Sequence, residues 1–349
     1  MIEVIEQTDA AVEQQVRAFL AEVPAETGVG NEHDPRWLNV LHEALGHRPF
    51  ILLARRSEGS LCGWLPLVLV SGPVFGRFLV SLPYLNRAGV VAPDADDASA
   101  LIDEAVRLAE KLNVQYLELR HGRPFRHDRL PQQRGEKSLM VLDLPDDADR
   151  LWASFDPKVR NQVRKGEKHG LSIRWGGQEL IDEFYRIFAI NMRDLGTPVY
   201  PRKLFERILR YFGNEAELAV VDYQDRCVAA AMLVHDRGRT QVPSASSLRQ
   251  YNATCANMWM YQRLLLRSVE RGSREFDFGR SSEGSGTYRF KKQWGASPRP
   301  TVWQYHVRRG DVDAVRPDSP RYRRRISMWQ KLPVWLTRLI GPPIVKGIP

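Results

Sequence analysis

The sequence repeats one arrangement of predicted elements, and this duplication limits the chain to two similar halves. Residues 50–70 predict a strand, a polar turn and a second strand, and residues 216–234 predict the same pair again. Cys62 and Cys227 hold equivalent positions in the two pairs, 227 − 62 = 165 residues apart.

The repeat continues beyond the strand pairs. Residues 99–112 place apolar side chains at a helical period and run into a predicted strand at 115–119. Residues 258–269 and 274–278 predict the same helix and strand, at an offset of 274 − 115 = 159. Each half therefore combines an antiparallel strand pair, a long helix and a further strand, which is typical of an α/β (α+β) fold.

The length of 349 residues suits two domains. We predict an N-terminal domain at 1–145, a C-terminal domain with the active site at 146–310, and a linker with an amphipathic tail at 311–349. In each domain a mixed central sheet is expected between flanking helices.

Composition and charge indicate the kind of substrate and the cellular compartment to expect. The net charge of +9 suits an anionic, nucleotide-linked or lipid-linked substrate. No apolar run is long enough to span a membrane and the N-terminus is acidic, so we expect a cytoplasmic protein. Three cysteines without CxxC spacing and eight scattered histidines predict no metal site.

A basic segment follows the predicted domain boundary. Pro157 opens a predicted helix that ends before Gly170. Arg160 and Arg164 share one helical face and Lys158 lies on another. Such a face suits phosphate groups, so we interpret these three residues as substrate-binding. The alternative is a solvated surface helix.

A Gly/Ser-rich loop spans residues 277–295, and it is the main candidate for chemistry. The preceding strand is expected to end at Phe278, and α/β folds place ligands at the carboxyl ends of strands. Asp277 or Glu283 could accept a proton from an attacking amine. Backbone N–H groups and nearby cations suit an oxyanion or phosphate. The further candidates in this loop are Arg280, Ser281, Tyr288, Phe290 and Lys291. An ordinary surface loop is the alternative.

The basic helix and this loop resemble the FemABX family, tandem-GNAT transferases that move an amino acid from aminoacyl-tRNA onto peptidoglycan precursors. The motifs Asp277-Phe-Gly-Arg-Ser, Gly286-Thr-Tyr-x-Phe-Lys-x-x-Trp-Gly295 and Asp34-Pro-Arg-Trp37 more narrowly resemble FemAB-like proteins associated with exosortase and exopolysaccharide systems. The resemblance implies two GNAT-like domains, phosphate contacts from Arg160, and oxyanion stabilisation by Lys291.

Two departures from these families leave the donor open. The helical hairpin of the tRNA-acting members has no counterpart here. In GNAT enzymes a strand leads into a glycine-containing pyrophosphate loop, but residues 249–257 contain no glycine. We assign Ser244, Ser246 and Tyr251 of this step to substrate binding, and the donor is either acyl-CoA or aminoacyl-tRNA.

The C-terminal tail allows two interpretations. A basic cluster at 321–325 precedes tryptophans and leucines up to residue 340, which suits peripheral contact with an anionic membrane. Pro333 is expected to kink this helix and Pro342 to end it. The alternative is a helix packed on the core of the protein itself.

Together these features predict an acyl- or aminoacyltransferase that forms an amide on an amine of a peptidoglycan or exopolysaccharide precursor. One alternative is an acetyl-CoA-dependent N-acetyltransferase of another substrate class. Another is a non-catalytic module that binds anionic polymers, although we expect no stable complex with DNA.

Overall fold

The computed structural model describes residues 1–24, 29–73, 75–312 and 323–349, with the side chain of Arg323 left out. The chain folds into two compact units. The first comprises residues 1–135, 300–323 and 342–349, and the second comprises residues 136–299 and 324–341.

Each unit contains one seven-stranded sheet. The strands, numbered along the chain, are β1 Ile2–Ile5, β2 Arg48–Arg55, β3 Leu61–Gly72, β4 Gly76–Val80, β5 Tyr116–His121, β6 Gln132–Arg134, β7 Lys137–Asp143, β8 Ser172–Gly176, β9 Ala216–Tyr223, β10 Arg226–Asp236, β11 Arg239–Ser247, β12 Glu275–Ser282, β13 Ser297–Pro300 and β14 Val302–Val307. The helices are α1 Ala10–Glu22, α2 Arg36–Leu45, α3 Ala95–Lys111, α4 Ala148–Ser154, α5 Pro157–Lys168, α6 Ile181–Leu195, α7 Arg202–Phe212, α8 Ala256–Glu270, α9 Gly286–Lys292, α10 Arg323–Trp329 and α11 Val334–Val345.

The two sheets have equivalent strand orders. The first runs β1-β2-β3-β4-β5-β14-β6, and the second, read in the same direction, runs β8-β9-β10-β11-β12-β7-β13. In the first sheet the neighbouring strands are antiparallel except for the parallel pair β4–β5. In the second, the pairs from β8 to β7 are antiparallel except for the parallel pair β11–β12. The predicted strand pairs, long helices and following strands of the two halves all form.

The sixth strand in each order comes from outside the predicted domain. β14 pairs with β5 in the first sheet, and β7 pairs with β12 in the second. Their first residues are 302 − 137 = 165 apart, the offset that also separates Cys62 from Cys227. This pairing corrects the predicted boundaries, because residues 136–145 belong to the second unit and residues 300–310 to the first.

Helices cover the sheets with apolar faces. α3 is capped by Asp94, whose carboxylate accepts hydrogen bonds from the amides of Asp96 and Asp97. In the second unit α8 packs on the sheet and contacts α5, where Gly166 lies against Trp259. As predicted, Pro157 is the first residue of α5, and Gly170 lies beyond its end with a φ of +72°.

Two predicted element ends are corrected. β12 continues past Phe278 to Ser282 because its later residues pair with β7. Pro342 and Pro343 do not end the last helix, since both lie inside α11, which begins directly after Pro333. Residues 313–322, the centre of the predicted linker and the start of the basic cluster, lie outside the described residues.

Candidate active site

A β-bulge in β12 shapes the centre of the second unit. The register of β12 against β7 shifts between Asp277 and Arg280, and Gly279 between them has a φ of +78°. The buried Asp277 carboxylate accepts a hydrogen bond of 2.7 Å from the Gly279 amide. The backbone carbonyls of Gly279 and Arg280 both accept hydrogen bonds from α9.

The donor from α9 is Lys291. This short helix begins after Ser285, whose hydroxyl accepts from the Tyr288 amide at 3.1 Å. Lys291 is 8% exposed, and its Nζ donates to the Gly279 oxygen at 3.0 Å and to the Arg280 oxygen at 3.1 Å. An ammonium group has three N–H bonds, and two of them are used among the described residues, so one is available to a ligand.

Burial changes the acidity of this ammonium group. The pKa of Lys291 is lowered to about 8, mainly by desolvation; the negative charge of Asp277 opposes this shift, and the positive charge of Arg280 adds to it. An ammonium group that is poorly solvated and has a pKa close to neutral pH is well suited to stabilise a transient anion.

Aromatic side chains cluster on α8, α9 and β12, the elements around the candidate site. The ring of Tyr261 lies 4.9 Å from that of Phe290 and 5.6 Å from that of Phe278. Burial raises the pKa of Tyr261 above its usual range. Because Lys291 is itself buried, its charge interacts more strongly with a developing anion than it would in water.

The strands β11 and β12 diverge beside this centre. They pair only between Arg239–Gln241 and Glu275–Asp277. Beyond these residues β11 remains paired with β10 and β12 remains paired with β7. The predicted residues Ser244 and Ser246 lie on the diverging part of β11, where Ser246 accepts a hydrogen bond of 3.1 Å from the Asn191 amide group.

A groove of about 690 Å³ lies at the start of α5. Three basic side chains line it, Lys158, Arg160 and Lys292, and Asp156 contributes one carboxylate. The guanidinium of Arg160 also donates to the Ala153 carbonyl at 3.2 Å. The surplus of positive charge suits a phosphate group.

The remaining predicted residues have different surroundings from one another. Glu283 is exposed in the turn after β12, outside the buried surroundings of Lys291. Arg164 lies over the Trp152 ring at 5.6 Å. Ser281 is buried and donates to Thr287, and the half-buried Tyr251 lies 6.1 Å from the Tyr223 ring. Tyr288 is buried in the core of the unit.

Sequence reasoning missed several residues of the site. Lys292 lines the groove, whereas its neighbour Lys291 is not among the lining residues. The two differ because adjacent helical positions point in different directions. Gln241 and Gln262 are buried, and each has a side-chain oxygen without a hydrogen-bond partner among the described residues. Buried amides of this kind in a strand and a helix give no local sequence signal.

In the first unit the strands equivalent to β11 and β12 are β4 and β5, and the chain that follows β4 continues to bond with β5. After β4, the Ser81 amide donates to the Glu118 carbonyl and the Ala88 amide donates to the Arg120 carbonyl. The buried Arg120 side chain forms an ion pair of 2.7 Å with Glu118. The bulge, the buried lysine and the diverging strands therefore occur together in the second unit.

Comparisons with known proteins agree with this architecture. Residues 153–292 match the family described as "Acetyltransferase (GNAT) domain". A search of curated protein sequences finds no significant match. The crystal structure of FemX is similar with a TM-score of 0.64 and 14% identity, covering 87% of this chain and 97% of that one.

Two further structures have the same arrangement at lower similarity. The C-terminal domain of a putative lysylphosphatidylglycerol synthetase from Agrobacterium fabrum gives a TM-score of 0.55 and 12% identity over 88% of this chain and 94% of that one. A tandem GNAT protein from the clavulanic acid biosynthesis pathway gives a TM-score of 0.50 and 14% identity, covering 89% of this chain and 100% of that one. These likenesses confirm the predicted fold class of two GNAT-like domains in tandem.

Proposed function

We propose that this chain, a GNAT-type acyltransferase with the tandem FemABX-like fold, joins an acyl or aminoacyl group to an amine of a cell-envelope precursor. The observation that supports the mechanism is the buried Lys291, whose lowered pKa and remaining N–H bond suit a transient oxyanion.

In the proposed reaction the acceptor amine attacks the carbonyl carbon of an ester or thioester. The carbonyl oxygen becomes an oxyanion, which the Lys291 ammonium stabilises by its third N–H bond. When the tetrahedral intermediate collapses, the C–O or C–S bond to the donor breaks and the new amide remains. The departing alkoxide or thiolate takes up the proton that the amine loses.

The two candidate carboxylates have different parts in this scheme. Asp277 is fully buried and bonded to the Gly279 amide, so its charge serves to keep Lys291 protonated rather than to meet the amine. Glu283 is exposed and could accept the proton of the amine and pass it through water to the departing alkoxide or thiolate.

The divergence of β11 and β12 suits the donor, since an extended acyl group can lie between separated strands. The basic groove with Lys158 and Arg160 suits the phosphates of a nucleotide-linked or lipid-linked acceptor. This assignment agrees with the resemblance to FemABX transferases, and we propose that the reaction takes place in the cytoplasm.

The test is transfer by the purified chain from aminoacyl-tRNA or acyl-CoA to an amine-bearing nucleotide-linked peptidoglycan precursor, with the amide detected by mass spectrometry. We expect Lys291→Ala to lower turnover at least about 100-fold, as removal of an oxyanion donor does. Lys203→Ala, an exposed lysine on α7, should behave as the unchanged protein. Normal turnover of a folded Lys291→Ala variant would exclude the role.

An acetyl-CoA-dependent N-acetyltransferase is the second candidate, favoured by the match to a GNAT acetyltransferase domain. The absence of a glycine at residues 249–257, where the chain forms a 3₁₀ helix at Arg249–Thr254, argues against it. Calorimetry with CoA decides: a saturable signal that acetyl-CoA displaces favours this candidate.

A further inference from the structure

The end of the chain has one sign of charge. Residues 319–349 contain seven Lys or Arg residues and no Asp or Glu. Two tryptophans and several leucines and isoleucines accompany them. Among the described residues, no helix is long and apolar enough to cross a membrane. The composition instead matches segments that lie on a membrane surface.

One side of this segment is attached to the second unit. Ile326 packs directly against Gly196, just past the end of α6. The Arg193 guanidinium donates to the Leu332 carbonyl at 3.2 Å, and the Gln330 side chain donates to the Asp194 carbonyl at 3.1 Å. Thr337 is buried. Residues 324–341 are therefore held in place by their inward side.

The opposite side presents apolar side chains to solvent. Met328 is 69% exposed, and Trp335 and Leu339 are each 67% exposed. Trp335 and Leu339 are four residues apart on α11, so they share one helical face. Leu195, at the end of α6 beside the anchoring contacts, is 52% exposed. A helix that only packed on the protein core would bury the tryptophan first.

Exposed basic residues accompany this apolar face. Arg324, Lys331 and Arg338 are all exposed, and Arg338 lies over the Tyr185 ring at 5.1 Å. We propose that this face, formed by Leu195, Met328, Trp335 and Leu339 with these three cations, docks the chain onto an anionic lipid bilayer.

Charge complementarity favours a lipid surface over a second copy of the chain. Two copies meeting through this face would bring their positive charges together without acidic partners from the tail. An anionic leaflet attracts the same cations, and its interfacial region accommodates tryptophan and leucine. The inference goes beyond the proposed reaction, because docking requires neither Lys291 nor the groove.

The experiment is vesicle co-sedimentation of the full chain. Vesicles of phosphatidylcholine and phosphatidylglycerol in equal parts are compared with vesicles of phosphatidylcholine alone. We expect binding only to the first, weakened by salt. The double variant Trp335→Ala/Leu339→Ala should lose at least about tenfold in partitioning. Lys331→Glu should lose more than the fivefold that one cation contributes. Lys203→Glu, on another exposed surface, and Lys291→Ala should bind as the unchanged chain does.

A second readout locates the contact. Lipids brominated on their acyl chains should quench part of the tryptophan fluorescence, and Trp335→Phe should remove that part. Equal binding to both kinds of vesicle, or full binding by the double variant, would overturn the proposal. Self-association in sedimentation velocity that the double variant abolishes, without vesicle binding, would assign the face to a protein interface instead.

Discussion

At the scale of single residues, the proposed reaction depends on one buried charge. Lys291 has an exposed neighbour of the same type, Lys292, yet only Lys291 is desolvated and bonded to two carbonyls of the bulge. Its environment, rather than its residue type, brings its pKa down to about 8.

The sign of this shift gives a test by pH. If the ammonium form stabilises the oxyanion, turnover should fall as the pH rises through about 8, where Lys291 loses its proton. Asp277→Asn should move this decline to lower pH, because the negative charge of Asp277 raises the pKa of Lys291. The measurement is the pH profile of kcat with an acceptor amine of low basicity, which stays uncharged throughout.

Asp182→Asn is the matched control for this profile, since Asp182 is an exposed carboxylate on α6. Its profile should coincide with that of the unchanged protein. A turnover that continues to increase through pH 9 would instead indicate that neutral Lys291 acts as a base.

At the scale of elements, the β-bulge connects the strand to the reactive side chain. Gly279 adopts a positive φ that residues with a side chain rarely adopt, and its carbonyl accepts from Lys291. Gly284 in the following turn also has a positive φ, +73°, but an added Cβ there meets no atom within 4 Å.

Substituting these two glycines distinguishes the effect of backbone strain on stability from the effect of the bulge on turnover. Gly279→Ala and Gly284→Ala should each lower the free energy of unfolding by about 1 kcal/mol, because alanine is strained in the left-handed region. Only Gly279→Ala should also reduce turnover, since it reorients the carbonyls that hold Lys291. Urea unfolding and the transfer assay measure the two effects. A similar loss of turnover in both variants would contradict this role of the bulge.

At the scale of the whole molecule, each sheet is completed by a strand that follows the other unit in sequence. Tyr305 on β14 is fully buried in the first unit, where its ring lies 5.7 Å from Tyr116. Met140 on β7 is fully buried in the core of the second unit. A substitution in β14 should therefore destabilise the first unit, and a substitution in β7 should destabilise the second.

Hydrogen exchange can test both expectations. Tyr305→Ala should cost about 3 kcal/mol and reduce amide protection mainly in β3 to β5 of the first unit. Met140→Ala should cost about 2 kcal/mol or more and act mainly on β9 to β12. If Tyr305→Ala deprotected the second unit instead, the sheet assignment would be wrong.

The sequence by itself determined the duplicated elements and the segment that contains the site. Helical and strand periodicity and the residues that bound α5 are local patterns, so the elements at 50–70, 99–119, 216–234 and 258–278 could be predicted from them. The 165-residue offset then related the two halves. The loop with Lys291 and the basic helix with Arg160 were also found from their residue types and spacing.

Tertiary structure alone decided which sheet takes each strand and which side chains are buried. The partners of β7 and β14 depend on sheet edges formed by residues far away in the chain. The same pairing extends β12, creates the bulge at Gly279 and desolvates Lys291 while leaving Glu283 exposed. Burial is a property of the packed molecule, so the pKa of Lys291 could not follow from its neighbours in sequence.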